Sequence, residues 1–597
     1  MCRSFSSMPV LVACVAVAAF VCGGSSAVAA NYTWKTLSGT GNWTNSVNWS
    51  GTTATNLYPG SVGSGTADGA FIQANYTSAP TINLDTSVQI RQLNLGGTTG
   101  ATTFPVTLST TNGSTLTISQ TTTTGTAVLA VNSAVNSGTN VLAPDILMLT
   151  TVEARMASVT SGTVNLAITG NVSAGSAGTK IFRYTPNNTS TTTDPSILDF
   201  RGNITNGSGT VSIFYRNDMP NSVNTLRLSG TGNTFTGGLN FSGGKPGQAI
   251  LEASPASGTN GVLGTGTLTL GASGSSATLN LGGSLSTVTE VCRINVAGTV
   301  AKQIAVIGAG DRVLSGTVSQ NAGAGLTLAC SNAGSLTLSN ALTGTGPITV
   351  NSSGSGKVIF SGTDSTYSGP TTIQAGGLQL GSGSSAGTST ITPLAGGTLS
   401  LSPYAVTTVA GLAANAGGLI DASNGFMRVS GGLTAADMLT ALVAGRNGGT
   451  WDGASGITSS AAQSALALNV PRTVGWLDNG DGSVSFAYAA PGDTNLDWQV
   501  DVLDVANFLS GGKFNSDSPA TWFEGDFNYD GVVDVLDAAG FVSTSLYDQG
   551  SYNSPPSLSL SGVAAVPEPA VGVLGAAGLA CGVVIDRLVR ARRARGR

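Results

Sequence analysis

The sequence predicts a mainly β fold built as a solenoid of short strands, and three observations carry that prediction. The first is composition: of 597 residues 84 are Gly and only 9% are charged, yet 41% are hydrophobic and fall in a regular pattern, which sets the chain apart from a disordered one. The second is a recurring three-residue core with apolar ends and a small or polar centre, running from about Leu93 to Leu401. The third is what separates these cores, which is Gly, Asn and Ser, residues that turn a chain cheaply.

The cores are Leu93-Asn-Leu95, Leu116-Thr-Ile118, Leu166-Ala-Ile168, Leu226-Arg-Leu228, Leu268-Thr-Leu270, Leu279-Asn-Leu281, Leu326-Thr-Leu328, Leu336-Thr-Leu338, Ile348-Thr-Val350, Leu378-Gln-Leu380 and Leu399-Ser-Leu401, with neighbours often 10 to 12 residues apart. Alternation of this kind means half-buried strands. Stacking such strands places like residues over like, so the apolar pairs fill a continuous interior. Two stretches are longer than the generic period: Leu228-Ser-Gly230-Thr-Gly-Asn-Thr-Phe235-Thr-Gly237-Gly238, and Phe360-Ser-Gly362-Thr-Asp-Ser-Thr-Tyr367-Ser-Gly369-Pro370 with its continuation to Leu380. Both keep an aromatic residue seven positions after the strand end. They resemble the autotransporter-associated β-strand repeat, and the resemblance implies a right-handed parallel β-helix over residues 31–403. Trp34, Trp43 and Trp49 look like the entry segment ahead of such repeats, as an aromatic cap on the first rung or as a carbohydrate-stacking surface.

Residues 404–490 break the pattern and are expected to close the open end. Thr434 to Ala444 and Ser459 to Leu468 read as short helices, the first begun by a Thr434/Asp437 capping pair. Asp478-Asn-Gly480-Asp-Gly482, flanked by Trp476 and by Ser483 to Tyr488, reads as a hairpin turn.

The dense chemistry lies in residues 491–548. Asp493-Thr-Asn495-Leu-Asp497-Trp-Gln499-Val-Asp501-Val-Leu-Asp504 returns 33 residues later as Asp526-Phe-Asn528-Tyr-Asp530-Gly-Val532-Val-Asp534-Val-Leu-Asp537. Oxygen-bearing side chains occupy positions 1, 3, 5, 9 and 12 of each copy, the spacing at which an EF-hand-type loop wraps a hard cation, with the main-chain carbonyl of position 7 (Gln499, Val532) completing the set. Apolar residues at position 8 (Val500, Val533) are expected where paired loops meet. A helical apolar period follows each loop, which predicts two loop-helix units packed by pseudo-twofold symmetry.

This arrangement resembles a dockerin, and the resemblance implies two calcium sites: Asp493, Asn495, Asp497, Gln499, Asp501 and Asp504 in the first, and Asp526, Asn528, Asp530, Val532, Asp534 and Asp537 in the second. Position 6 needs positive φ; it is Gly531 in the second loop and Trp498 in the first, so the second site is expected to be the stronger. Positions 10 and 11 carry partner recognition in cellulosomal dockerins and are Val-Leu twice here, a departure from that kind. The alternative role for the metal is to staple a mini-domain too small to hold itself.

Both ends read as targeting signals. Residues 1–30 have Arg3, an apolar run from Val10 to Val21 and a small-residue cleavage site, the plan of a secretory signal. Residues 549–565 form a linker. In 566–597, Val566-Pro567-Glu568-Pro569 precedes an apolar run from Ala570 to Ile585 and then six arginines, at 587, 590, 592, 593, 595 and 597. This tail resembles a PEP-CTERM signal, which implies transient membrane insertion as a sorting helix, cleavage by an exosortase, and a place at the surface or in the extracellular matrix of a Gram-negative bacterium.

Without Arg3, those six arginines and Asp586, the balance falls from 24 basic and 29 acidic residues to 17 and 28, a net charge of −11. Nucleic acid is therefore not an expected partner. The chain has no histidine, which removes Ser-His-Asp and Cys-His catalysis and His-ligated zinc. Cys292 and Cys330 are the cysteines left after removal of both ends, as one disulfide or two buried thiols. Acids of the body such as Asp145, Glu153, Asp194, Asp199, Asp364 and Asp421 are scattered singly, so no catalytic residues are assigned. The expected function is a non-catalytic surface or matrix protein that binds extracellular polysaccharide or a surface protein through the calcium module. The alternative is a secreted polysaccharide-active or glycan-binding β-helix.

Overall fold

The computed structural model describes residues 30–555 apart from 37, 53–56, 62–67, 75, 98–103, 121–125, 133–137, 157–163, 187–195, 218–222, 244–248, 259–260, 272–274 and 332. The expected secretory signal up to residue 29, the tail at 566–597 and Asp194 lie outside the described residues. From Asn31 to Thr458 the chain is a ladder of short strands paired almost throughout in parallel. All eleven apolar cores lie in strands with both end residues buried.

Each turn of the coil has three sides. Leu268–Leu270, Ala277–Leu281 and Thr287–Glu290 make one turn, and the next lies directly on it: Leu268 pairs with Ile294, Leu279 with Ile304, and Val288 with Arg312. The 10- to 12-residue spacing is thus one side of a turn, and a full turn such as Leu328 to Val350 to Ile373 takes 22 or 23 residues. One interior column runs Leu226, Leu251, Leu279, Ile304, Leu328, Val350, Ile373 without a polar member. Each residue of it is at most 1% exposed, so the hydrophobic effect holds consecutive turns in one register.

The two long stretches have a distinct local structure. After Leu228 and after Phe360 the chain rounds one side of the coil with no regular strand for ten residues, and Phe235 and Tyr367 turn inward, fully buried, to fill the space. The glycines of these stretches answer to close approach: a methyl at Gly230 would overlap the carbonyl of Gly202, and one at Gly362 that of Asn340, both on the preceding turn. Five residues past the strand end, Asn233 Oδ1 accepts from Ile204 N (2.7 Å) and Ser365 Oγ from Leu342 N (3.0 Å), tying each stretch to the turn before it.

At the entry, Trp34, Trp43 and Trp49 meet edge to face with centroids 5.0 and 4.9 Å apart, all at most 2% exposed. They cap the first turns and offer no face for a ring to stack on. Cys292 and Cys330 are separate buried thiols.

Parallel pairing continues past the expected end at residue 403, through Val406–Leu412, Leu419–Asp421 and Phe426–Gly431 to Gly456–Thr458. Helix α1 (Ala435–Arg446) and helix α2 (Ser460–Leu466) flank the last of these strands. Thr434 Oγ1 accepts from the Asp437 amide, the N-cap the sequence predicts. The hairpin Thr473–Asp478/Val484–Ala489 then pairs antiparallel with Phe426–Gly431, ending the ladder with a reversed strand that blocks further parallel addition.

Candidate metal loops on the end of the solenoid

The duplicated acidic segment forms two loops, each followed by a helix: α3 (Val502–Gly511) and α4 (Val535–Ser543). Their hydrogen bonds repeat position by position. Asp493 Oδ2 accepts from Trp498 N, and Asp526 Oδ2 from Gly531 N, each at 3.0 Å. Asn495 and Asn528 accept from the amides of Asp497 and Asp530, which in turn accept from those of Gln499 and Val532. Asp501 and Asp534 cap the helices, and Asp504 and Asp537 return one oxygen to those cap amides and the other to position 2. These bonds curl each loop so that its first and last carboxylates are buried.

Backbone strain falls where the loop turns. Trp498 at position 6 has φ +66° and Gly531 has φ +88°, as expected there, and position 4 is also left-handed at Leu496 (+61°) and Tyr529 (+63°), which the sequence did not signal. Trp498 is held in that conformation by its indole, which donates to the Tyr488 carbonyl at 3.0 Å.

Two packing expectations are corrected. Val500 and Val533 are buried, but the Val500 carbonyl accepts from Asp548 N, beyond α4, and that of Val533 from Asn515 N, beyond α3, so each loop is held by the segment that follows the other unit's helix. The helices leave most of their apolar residues in solvent: Val502, Leu503 and Leu509 on α3 and Val535, Leu536 and Val542 on α4 are 58 to 74% exposed. Symmetry appears instead as an exchange, with Phe508 of α3 closing on Gly525 ahead of the second loop and Phe541 of α4 closing on Gly492 ahead of the first.

The loops are seated on the hairpin. Leu496 and Trp522 press against Gly475, where a methyl would clash with both, and Trp522 Nε1 donates to the Asp493 carbonyl at 2.7 Å. The Tyr529 hydroxyl bonds the Val474 carbonyl and Thr473 Oγ1, and Tyr552 reaches from Ala490 N to Asp493 Oδ2 (2.5 Å). Arg446 and Arg472 lie over the rings of Tyr529 and Tyr552. Leu496, Trp522, Phe527 and Tyr529 belong to the same apolar core as the solenoid, so the loops are not a free-standing unit.

Electrostatically both loops hold more negative charge than their surroundings tolerate. Burial first, and then Asp504 and Asp497, push the Asp493 carboxyl up to about 7; burial, with Asp537 and Asp530, pushes Asp526 up to about 6. Burial also raises Asp504 and Asp537. The ion pairs of the described residues leave both loops without a basic partner. Among the described residues no group of three acidic side chains is arranged to hold a metal ion. The donor set is all oxygen, as hard cations require, and Asp526 Oδ1 is buried with no hydrogen-bond partner, an orphan that a cation would satisfy.

Of the scattered acids, Asp145 accepts from Asn171 N, and Glu153 pairs with Arg155. Asp199 falls in register with Arg227 and, one turn further, Glu252, a juxtaposition the sequence concealed.

A family model described as Passenger-associated-transport-repeat matches residues 223–245 and 353–380, the two stretches that round the coil on a buried aromatic residue. No curated protein and no solved structure matches the chain. Over residues 223–245 and 353–380 this β-solenoid is therefore similar to passenger-associated-transport repeats, of the autotransporter-related kind.

Proposed function

We propose that this chain is an exported, non-catalytic passenger-type protein of a Gram-negative bacterial surface or matrix. Its rigid solenoid is displayed, and its last two loops form a dockerin-like calcium module that joins it to an extracellular polysaccharide or surface protein. The passenger-associated-transport repeats carry the display part of the reading. For the metal, the support is the hydrogen-bond scheme shared by two all-oxygen loops around buried carboxylates, one of which, Asp526, has an unpartnered oxygen. Bound calcium would supply positive charge where four buried carboxylates crowd. Asp493, Asn495, Asp497, Asp501, Asp504 and the Gln499 carbonyl would hold one ion; Asp526, Asn528, Asp530, Asp534, Asp537 and the Val532 carbonyl would hold the other.

The second loop is the better prepared. Its turn residue is Gly531, and Asp526 Oδ1 is unengaged, whereas both oxygens of Asp493 are already bonded, Oδ1 by Asp497 N and Oδ2 by Tyr552 and Trp498. The exposed Val502-Leu503 and Val535-Leu536 pairs support an apolar contact with the partner. The PEP-CTERM-like tail supports release at the surface by an exosortase. Mass spectrometry of protein from the surface fraction of native cells tests this: peptides should end near Pro569, and intact Arg597 in that fraction would overturn processing.

A further inference from the structure

In a chain with only 9% charged residues, four charged side chains fall on three successive turns of one outward face. Asp199, Arg227 and Glu252 stack in register, followed by Asn280, and the column is bounded by Ala167 before and Ala305 after. The adjacent column supplies Arg201, Ser229 and Ser254. The three stacked charged residues and these three line an open cleft of about 410 Å³, together with Ala256 and Gly283.

The side chains are held before any ligand arrives. Asp199 accepts from Arg201 Nε and Ser229 Oγ, both at 2.8 Å; Glu252 accepts from Arg227 Nη2 at 3.0 Å and Ser254 Oγ at 2.6 Å. Asp199 is only 4% exposed although it stands at an outward strand position, and both of its oxygens are engaged by Arg201 and Ser229. Groups fixed in this way bind with little loss of side-chain entropy.

We propose that this cleft binds a neutral polysaccharide lying along the solenoid axis. Two carboxylates and two guanidiniums cancel, so neither an anionic nor a cationic chain gains from long-range attraction. Acceptors and donors alternate from turn to turn, carboxylate, guanidinium, carboxylate, with hydroxyls beside them. A vicinal diol donates and accepts at once and matches that alternation. Turns are about 4.8 Å apart, comparable with the rise of an extended pyranose chain, so neighbouring sugars meet neighbouring turns. The site is remote in sequence from the metal loops and independent of them.

The test uses the full chain in EGTA, with glucan, mannan, xylan and polygalacturonate as probes in retention assays and the matching hexasaccharides in calorimetry. One of the neutral polymers should be retained, its hexasaccharide binding at millimolar Kd or tighter. Glu252→Gln and Arg227→Ala should each weaken that binding at least tenfold. Glu252→Gln keeps the shape of the side chain and should leave the β circular dichroism and melting temperature unchanged, so a loss with this variant is not a folding defect. Retention of none of the neutral polymers, retention that survives both substitutions, or preference for polygalacturonate would each overturn the proposal.

Discussion

If the two loops exist to hold a cation, removing it should reverse the pH dependence of their stability. The perturbation is chelation with EGTA, followed by unfolding from pH 4 to pH 8. Without a cation, folding raises the Asp493 carboxyl from 3.8 to about 7 and Asp526 to about 6. A carboxyl raised by folding binds its proton more tightly in the native state. Its stabilisation is full below the unfolded value, near 4, and is lost as pH rises through the folded value. Each tenfold change in proton affinity is worth about 1.4 kcal/mol, so Asp493 alone should weaken the cation-free fold by on the order of 4 kcal/mol between pH 4 and pH 8. With calcium the sign turns over, because protons now compete with the ion for the same oxygens, and stability rises with pH. Hydrogen exchange of the α3 and α4 amides, corrected for intrinsic rates, reports this end of the molecule without interference from the solenoid. Equal pH slopes with and without calcium, or a chelated form most stable at pH 8, would mean that the two loops do not hold a cation through these carboxylates.

Inside the solenoid, Leu328→Asp should cost at least about 3 kcal/mol, because it places a carboxylate in a column between Ile304 and Val350, while Thr327→Asp on the outward face should melt within a degree or two of wild type; thermal unfolding checks both. Leu336 is a poorer position for this test, since buried Arg312 lies beside it in register and would pair with the new charge. Gly362→Ala should destabilise by about 1–3 kcal/mol by pressing on the Asn340 carbonyl, whereas Gly323→Ala, with open space at its Cβ, should be neutral in the same denaturant titration. In the second loop, Gly531→Ala should weaken calcium binding through the left-handed backbone at φ +88°, with calorimetry as the measurement.

Much of this architecture was legible in the residues because alternation is a local signal: every Leu-x-Leu core, the Thr434 cap and the Asp478–Gly482 turn report their own backbone state. What could not be read was register. The turn length varies with the loops between strands, so the 10- to 12-residue spacing hid a three-sided coil, and Asp199 and Glu252 gave no sign of sharing a face. The two acidic loops were legible as a repeated spacing of oxygen-bearing residues, which is again local. Their seat was not: Val500 and Val533 look alike as buried partners, yet each bonds a different returning segment, and the Gly475 surface that receives Leu496 and Trp522 carries no side chain to announce it. The apolar period of α3 and α4 suggested a packed pair, but Phe508 and Phe541 make the contact and the remaining apolar residues stay in solvent.

Cation binding by the two loops can be measured on the intact chain. Full chain dialysed against micromolar free calcium and analysed by inductively coupled plasma mass spectrometry should retain two calcium ions per chain. Asp537→Asn should retain one, and Asp504→Asn with Asp537→Asn none. A wild-type chain that retains no calcium under these conditions would contradict cation binding by the loops.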